Sequence, residues 1–324
     1  MVSEGLRVLV ISYNRVAFSN FLISYVEKHR YKVVFLSDGY FNFLKEIPSL
    51  LRGKKFDLIL TQHPLVLVIT SLFMVRNNLR WIHFVTGQVW IDKPIIVADL
   101  YEFLDRQFSK SPSSLVFDSF GQYEFITSKW GEWPSMIYTG VGSMGGCDHY
   151  EFLTSPSQLK FCWIGRDVPN KDLKTTLDAF LKLKNNNSEA ELYIFGVDGI
   201  DIPDMGIFYF GYVDNVIEIV SQLNIGVNIV SSHREGFCMV ILEMAALGVP
   251  TISTRIYGSS EIVKNTSVEE YTFDVLSSSQ LTFSMKKITL LNDNRYLKLR
   301  KKVYEGALMY EKNKIIKKFE LEVL

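Results

Sequence analysis

Short, almost wholly apolar runs recur along the chain, separated by intervals long enough for a helix. "LRVLVISY" (Leu6 to Tyr13) is apolar and β-branched, a helix-length segment carries the chain to His29, and "KVVFLS" (Lys32 to Ser37) repeats the strand signal. This is a βαβ opening. "FDLILTQ", "RWIHFVTG", "SSLVFDS" and "SMIYTGV" continue the series. Runs without polar alternation read as strands buried on both faces, as in a parallel sheet covered by helices. The first half is therefore expected to be a doubly wound α/β domain. "LTSPSQ" (Leu153 to Gln158) is a polar, proline-containing seam suited to a linker. Beyond it the alternation restarts: "KFCWIG", a helix from about Asp172 to Lys184, "ELYIFG", "IFYFGYV", "NIGVNIV", a helix around Glu243, and "TIST". The expected architecture is α/β, two doubly wound Rossmann-like domains, residues 1–157 and 158–309. Facing one another, they would take a ligand at the carboxyl ends of their strands.

Composition narrows the partners. The 324 residues are 48% hydrophobic and 14% aromatic, enough for two separate cores. Net charge is zero with 22% charged residues, so neither disorder nor a nucleic-acid partner is expected. The stretch from Lys286 to Lys318 is locally basic, which reads either as a solvated helix face or as a surface for anionic lipid. Cys147, Cys162 and Cys238 stand far apart without metal-ligand spacing, as reduced thiols in a cytoplasmic protein do. No secretion signal is read at the N-terminus. The longest apolar run, "PLVLVITSLFMV" (Pro64 to Val75), is too short to span a bilayer, so any membrane contact is expected to be peripheral.

Two segments carry candidate chemistry. In "HREGFCMVILEMAALGVPTI" (His233 to Ile252) a helix is expected from Cys238 to Leu247, with Gly248 beyond its end and Pro250 stopping it. Glu235 and Gly236 then sit just before a helix N-terminus, where free N–H groups receive phosphates or polarised hydroxyls. Glu243 follows about 9 Å further along the axis. A carboxylate on an otherwise apolar helix needs a partner. Ribose hydroxyls would serve, and so would a buried arginine. In "FCWIGRDVPNKDLKTTLDAF" (Phe161 to Phe180) Arg166 emerges at a strand end and Lys171 follows before a helix. Two cations there could neutralise a diphosphate, strongly so where water is excluded; the alternative is an exposed pair on a βα loop. No Asp-x-Asp triplet is present to hold a divalent metal instead.

Together these segments resemble the retaining glycosyltransferases of family four, which have the two-domain GT-B fold. "GRDVPNKDL" matches the family's G-R-x-x-x-x-K pattern, "YIFGVDG" and "FGYV" its donor-domain loops, and "REGFCMVILEMAALGVPTI" its E-x7-E signature with the following G-x-P-x-[IV]. "RWIHFVTGQVW", "VFDSFGQYEF" and "VGSMGGCDHYEF" look like the corresponding pieces of bacterial capsule, lipopolysaccharide and O-antigen sugar transferases. "ISYNRVAFSN" departs from the pattern where many members carry a Gly-Gly turn.

The resemblance implies that residues 1–157 bind the acceptor, residues 158–309 bind the donor, and residues 310–324 cross back to pack on the first domain. Arg166 and Lys171 would bind the diphosphate of a nucleotide sugar after Gly165, Glu243 the ribose hydroxyls, and Glu235 the transferred sugar. The backbone of Gly236, Phe237 and Cys238 would meet sugar hydroxyls and phosphate, and Tyr212 and Val213 the base. A cleft histidine of the family would be His83, unless Thr86 or Gln88 takes its place; a lone histidine at the end of an apolar run is more often a structural residue. The implied activity is a metal-independent transfer, with no cofactor beyond a UDP-linked co-substrate. It would move a sugar, an N-acetylhexosamine for example, with retention to a lipid-diphosphate-linked or polysaccharide acceptor at the inner face of the plasma membrane.

Two rival readings stay open. Gly140, Gly142 and Gly145 fit G-x-G-x-x-G, which would make a nicotinamide-dependent oxidoreductase if a long helix followed. "CDHYEFLTSPSQ" is too short and broken for that helix, and the turn, with Gly142 and Ser143, reads better as an acceptor-touching rim. The other rival is an inactive sugar-nucleotide-binding protein with the same motif residues.

Overall fold

The computed structural model describes residues 6–13, 30–51, 56–74, 79–88, 90–91, 93–138, 146–185 and 189–322. The helix expected before His29 lies outside them. Contacts divide the chain into two units, residues 1–146 with 312–324, and residues 147–311.

Unit 1 holds a six-stranded parallel sheet in the order β2-β1-β3-β4-β5-β6. Its strands are β1 (Arg7–Ser12), β2 (Arg30–Phe35), β3 (Leu58–Gln62), β4 (Arg80–Val85), β5 (Ser114–Phe117) and β6 (Met136–Tyr138). The helices are α1 (Tyr40–Leu51), α2 (Pro64–Met74), α3 (Ile95–Phe108) and α4 (Phe120–Trp130). The apolar runs are continuous because alternate residues serve two cores. Val8 and Val10 pack with Leu58, Leu60, Ile82 and Phe84 on one face, while Leu9 and Ile11 pack with Ile59, Trp81 and Val66 on the other.

Unit 2 repeats the plan with the order β12-β11-β10-β7-β8-β9, again all parallel. Its strands are β7 (Ser157–Ile164), β8 (Glu191–Phe195), β9 (Ile207–Tyr209), β10 (Ile225–Val230), β11 (Thr251–Thr254) and β12 (Thr272–Phe273). Around them lie α5 (Leu173–Lys184), α6 (Val216–Gln222), α7 (Met239–Ala245), α8 (Tyr257–Asn265), α9 (Ser278–Thr289) and α10 (Asp293–Ala307).

The boundary falls between Gly146 and Cys147, earlier than the polar seam at 157/158. The reason is packing: Tyr150 and Leu153 join the core around Val220, Ile225 and Met244. After unit 2 the chain enters α11 (Lys312–Glu322), whose Phe319 is buried in the unit 1 core, stacked on Phe84 at 5.7 Å between ring centroids. Among the described residues no helix is long and apolar enough to cross a membrane.

Candidate functional site

In unit 2, β7 and β10 are neighbours from which the chain travels in opposite directions, through β8 to β9 on one side and through β11 to β12 on the other. Open α/β sheets bind ligands at the carboxyl ends of such a pair, because the outgoing loops diverge and leave a crevice. From β7 emerge Gly165, Arg166 and a one-turn 3-10 helix, Pro169–Lys171. From β10 emerge Ser231 to Glu235.

The two loops meet through an ion pair. Lys171 Nζ donates to Glu235 Oε1 at 2.5 Å, with the side chains only 21% and 14% exposed. Burial is the strongest single influence on the Lys171 ammonium and lowers its pKa, but the Glu235 charge, the nearby Cys238 and the hydrogen bond to Glu235 together outweigh it and the net shift is upward. Arg166 is exposed and its side chain forms no hydrogen bond or ion pair with any described residue, yet lies close enough for its charge to oppose that of Lys171. Three groups expected from the sequence to act together are thus brought together in one unit.

Residues that the sequence reading passed over hold this geometry. The buried Ser231 hydroxyl lies 2.9 and 2.8 Å from the carbonyl oxygens of Lys171 and Asp172, and accepts from Trp163 Nε1 and Thr176 Oγ1 at 3.0 Å each. Asp172 takes a left-handed φ of 48° and caps α5, its Oδ1 accepting from Thr175 N at 3.2 Å. Asn170 ties the loops directly: its carbonyl accepts from His233 N at 2.8 Å and its Nδ2 donates to the Arg234 carbonyl at 3.1 Å. Thr254 Oγ1 donates to the Ser232 carbonyl at 2.6 Å. Polar residues after "NIGVNIV" were the only visible signal; which loop they would bind depends on strand order.

The helix after Glu235 is shorter than the periodicity predicts, Met239–Ala245. Gly248 does close it, at φ 72°, with Gly248 N donating to Ala245 O and Val249 N to Met244 O at 2.8 and 2.9 Å, a Schellman pattern. One expectation is corrected here. The Cys238 N–H already donates to the Gly258 carbonyl at 3.1 Å, so it is not a free donor for a ligand. Phe237 is buried, edge-on to Tyr310, and Gly236 is half-buried.

Glu243 is half-buried on α7, and its carboxylate makes no hydrogen bond or ion pair with any described residue. Burial and, second, the charge of Asp148 raise its carboxyl pKa. The alternative partner, a buried arginine, is engaged elsewhere: Arg300 donates to the Gly248 carbonyl at 3.0 Å and to that of Leu153. Tyr212 is 84% exposed, and Val213 packs against the core beneath it.

In unit 1, His83 is a core residue on β4, 2% exposed, with its Nδ1 2.8 Å from Thr61 Oγ1, which also accepts from Trp81 Nε1. Burial lowers its pKa to about 3, so the ring stays neutral. Thr86 is half-buried and Gln88 buried beyond the end of β4. At the carboxyl ends of β1 and β3, Tyr13 stacks on His63, whose φ is 88°; the sequence signal for this pair was a histidine directly after a buried run. Gly142 and Ser143, with the rest of the glycine triplet, lie outside the described residues, and residues 146–156 form no helix. Among the described residues no group of three or more His, Cys, Asp or Glu could hold a metal.

Comparison with known proteins bears on this constellation. The chain is 28% identical over 148 residues to the N-acetyl-alpha-D-glucosaminyl L-malate synthase of Bacillus anthracis, covering 45% of this chain and 37% of the relative. It is 23% identical over 167 residues to the capsular polysaccharide biosynthesis glycosyltransferase CapM of Staphylococcus aureus, covering 44% and 43%. The chain thus spans about two fifths of the length of the curated relatives it matches. Among solved structures it is similar to Anabaena Alr3699/HepE, determined with UDP and glucose, at a TM-score of 0.75 and 14% identity over 98% of both chains. That likeness shows the fold, which is GT-B. Residues 151–307, the segment that contains Arg166, Lys171, Glu235 and Glu243, match the family model described as Glycosyl transferases group 1.

Proposed function

We propose that the chain is a retaining glycosyltransferase of family four that moves a sugar from a nucleotide donor, UDP-linked, to a glycan hydroxyl. The observation that carries this reading is the pairing of Lys171 with Glu235 beside an exposed Arg166, at the diverging ends of β7 and β10. A diphosphate seated there would accept from both cations, whose charges stabilise it as it departs. Glu235, already on Lys171, would orient the sugar or offset the charge of its oxocarbenium-like centre while the acceptor attacks from the same face. Glu243, lacking a partner among the described residues, offers its oxygens to the ribose hydroxyls, and exposed Tyr212 lies open to the base. The cations fill the role a divalent metal plays in other transferases, so the transfer is metal-independent in this reading.

The finer substrate assignment follows the resemblance in the sequence, with one relative named for capsular polysaccharide: surface-polysaccharide synthesis of the capsule, lipopolysaccharide or O-antigen kind, with an N-acetylhexosamine donor and a lipid-diphosphate-linked acceptor met at the inner membrane surface. The test combines binding and turnover. UDP and UDP-sugars are expected to raise Tm selectively, and Arg166→Ala and Glu235→Gln each to lower transfer by about 10²-fold or more with the fold intact. Near-wild-type turnover in either variant refutes the site. A stabilisation by nicotinamide nucleotides instead would favour the oxidoreductase reading, and UDP-sugar binding without UDP release on adding acceptor would mark an inactive binder.

A further inference from the structure

The segment carrying Glu235 is pressed between two neighbours. On one side Asn170 holds the peptides of His233 and Arg234. On the other stands Gly258, in the first turn of α8, whose carbonyl takes the Cys238 N–H. A Cβ at Gly258 would lie 2.0 Å from the Glu235 carbonyl oxygen, 2.4 Å from its carbonyl carbon and 2.9 Å from its Cβ. The shortest of these falls more than 1 Å inside ordinary van der Waals contact, and the obstacle is backbone, which cannot rotate away. Space rather than φ therefore demands glycine at this position. The start of α8 is itself fixed, because Ser259 Oγ donates to the Thr254 carbonyl at 2.9 Å while Thr254 Oγ1 holds Ser232. Relief would have to come from the Glu235 loop.

We infer that Gly258 is a positioning residue for Glu235, with Asn170 as its counterpart across the loop. Its missing side chain lets α8 seat the Glu235 peptide where the carboxylate reaches Lys171 Nζ. The inference rests on the proposed role of Glu235 beside the transferred sugar. A shift of about 1 Å in a group that contacts reacting atoms can cost roughly 10²-fold in rate.

The test is a pair of cycles on the full chain. Gly258→Ala is expected to lower the transfer rate by about 10²-fold, with UDP affinity, which depends on Arg166, Lys171 and Glu243, changed by less than about threefold. In a Glu235→Gln background the same substitution should add less than about threefold, because residues acting through one group are not additive. Asn170→Ala is expected to give the same pattern with a smaller loss, and serves alone should Gly258→Ala not fold. An equal loss in both backgrounds, or unchanged transfer, overturns the inference. A second cycle needs no sugar donor: coupling between Lys171→Met and Glu235→Gln, from urea unfolding, should fall well below its wild-type value in the Gly258→Ala protein, or in the Asn170→Ala protein should Gly258→Ala not fold. Unchanged coupling overturns positioning whatever the chain transfers. Reduced coupling without any transfer by the wild type would instead sink the proposed function and leave the packing role standing.

Discussion

At the scale of single residues the site separates groups that are already satisfied from one that is not. Lys171 and Glu235 neutralise each other, whereas Glu243 stands half-buried with its carboxylate unmatched among the described residues. Its raised pKa has a sign consequence. Between the ordinary and the raised value the folded chain binds more protons than the unfolded one, so stability is present at low pH and lost as pH rises through the folded value. Glu243→Gln is therefore expected to raise Tm at pH 7, with the gain shrinking toward pH 4. Nucleotide affinity should fall roughly 10- to 100-fold, since hydrogen bonds to a charged group contribute about 1.5–3 kcal/mol each. Thermal melts across pH together with UDP titration check both halves; a lower Tm at pH 7 would show that the carboxylate has a partner.

Elements decide which of these residues meet. Arg166, Lys171, Glu235 and Glu243 were legible in the sequence because each sits at a fixed offset from a strand end or within an apolar helix. Ser231, Asn170 and Gly258 were not, since their tasks arise from the adjacency of β7 and β10 and from the docking of α8, pairings about 60 or more and about 20 residues apart in sequence. His83 shows the same limit: the pattern marks a histidine at the end of an apolar run but not that Thr61, on the neighbouring strand, lies within hydrogen-bond reach of it. The Schellman turn gives this scale its own test. Gly248→Ala would force a Cβ into a left-handed conformation and to 2.4 Å from the Phe152 ring. The conformational part alone costs about 1–2 kcal/mol. A total loss of ~2 kcal/mol or more is expected in urea unfolding; a loss of only about 1 kcal/mol would mean that Phe152 swings away at no expense, and a neutral result would refute the left-handed turn itself.

Across the whole molecule, unit 1 is assembled from two stretches of chain with all of unit 2 between them. The polar seam near residue 157 gave the approximate division, but the ownership of residues 147–156 was settled by packing that no local composition records. Phe319 is the test of the arrangement. Phe319→Ala should destabilise unit 1 by ~3–5 kcal/mol, seen as lost amide-exchange protection in β1, β3 and β4 with β7 and β10 unaffected; uniform loss across both sheets would show a single cooperative body. The placement of α11 also sets an order of events during synthesis. At a ribosome adding roughly 5–20 residues per second, the opening sheet must wait several seconds or more with one wall of its interior uncovered, while the later sheet is translated and can finish first. The half of the chain that is born earlier is the half that matures last.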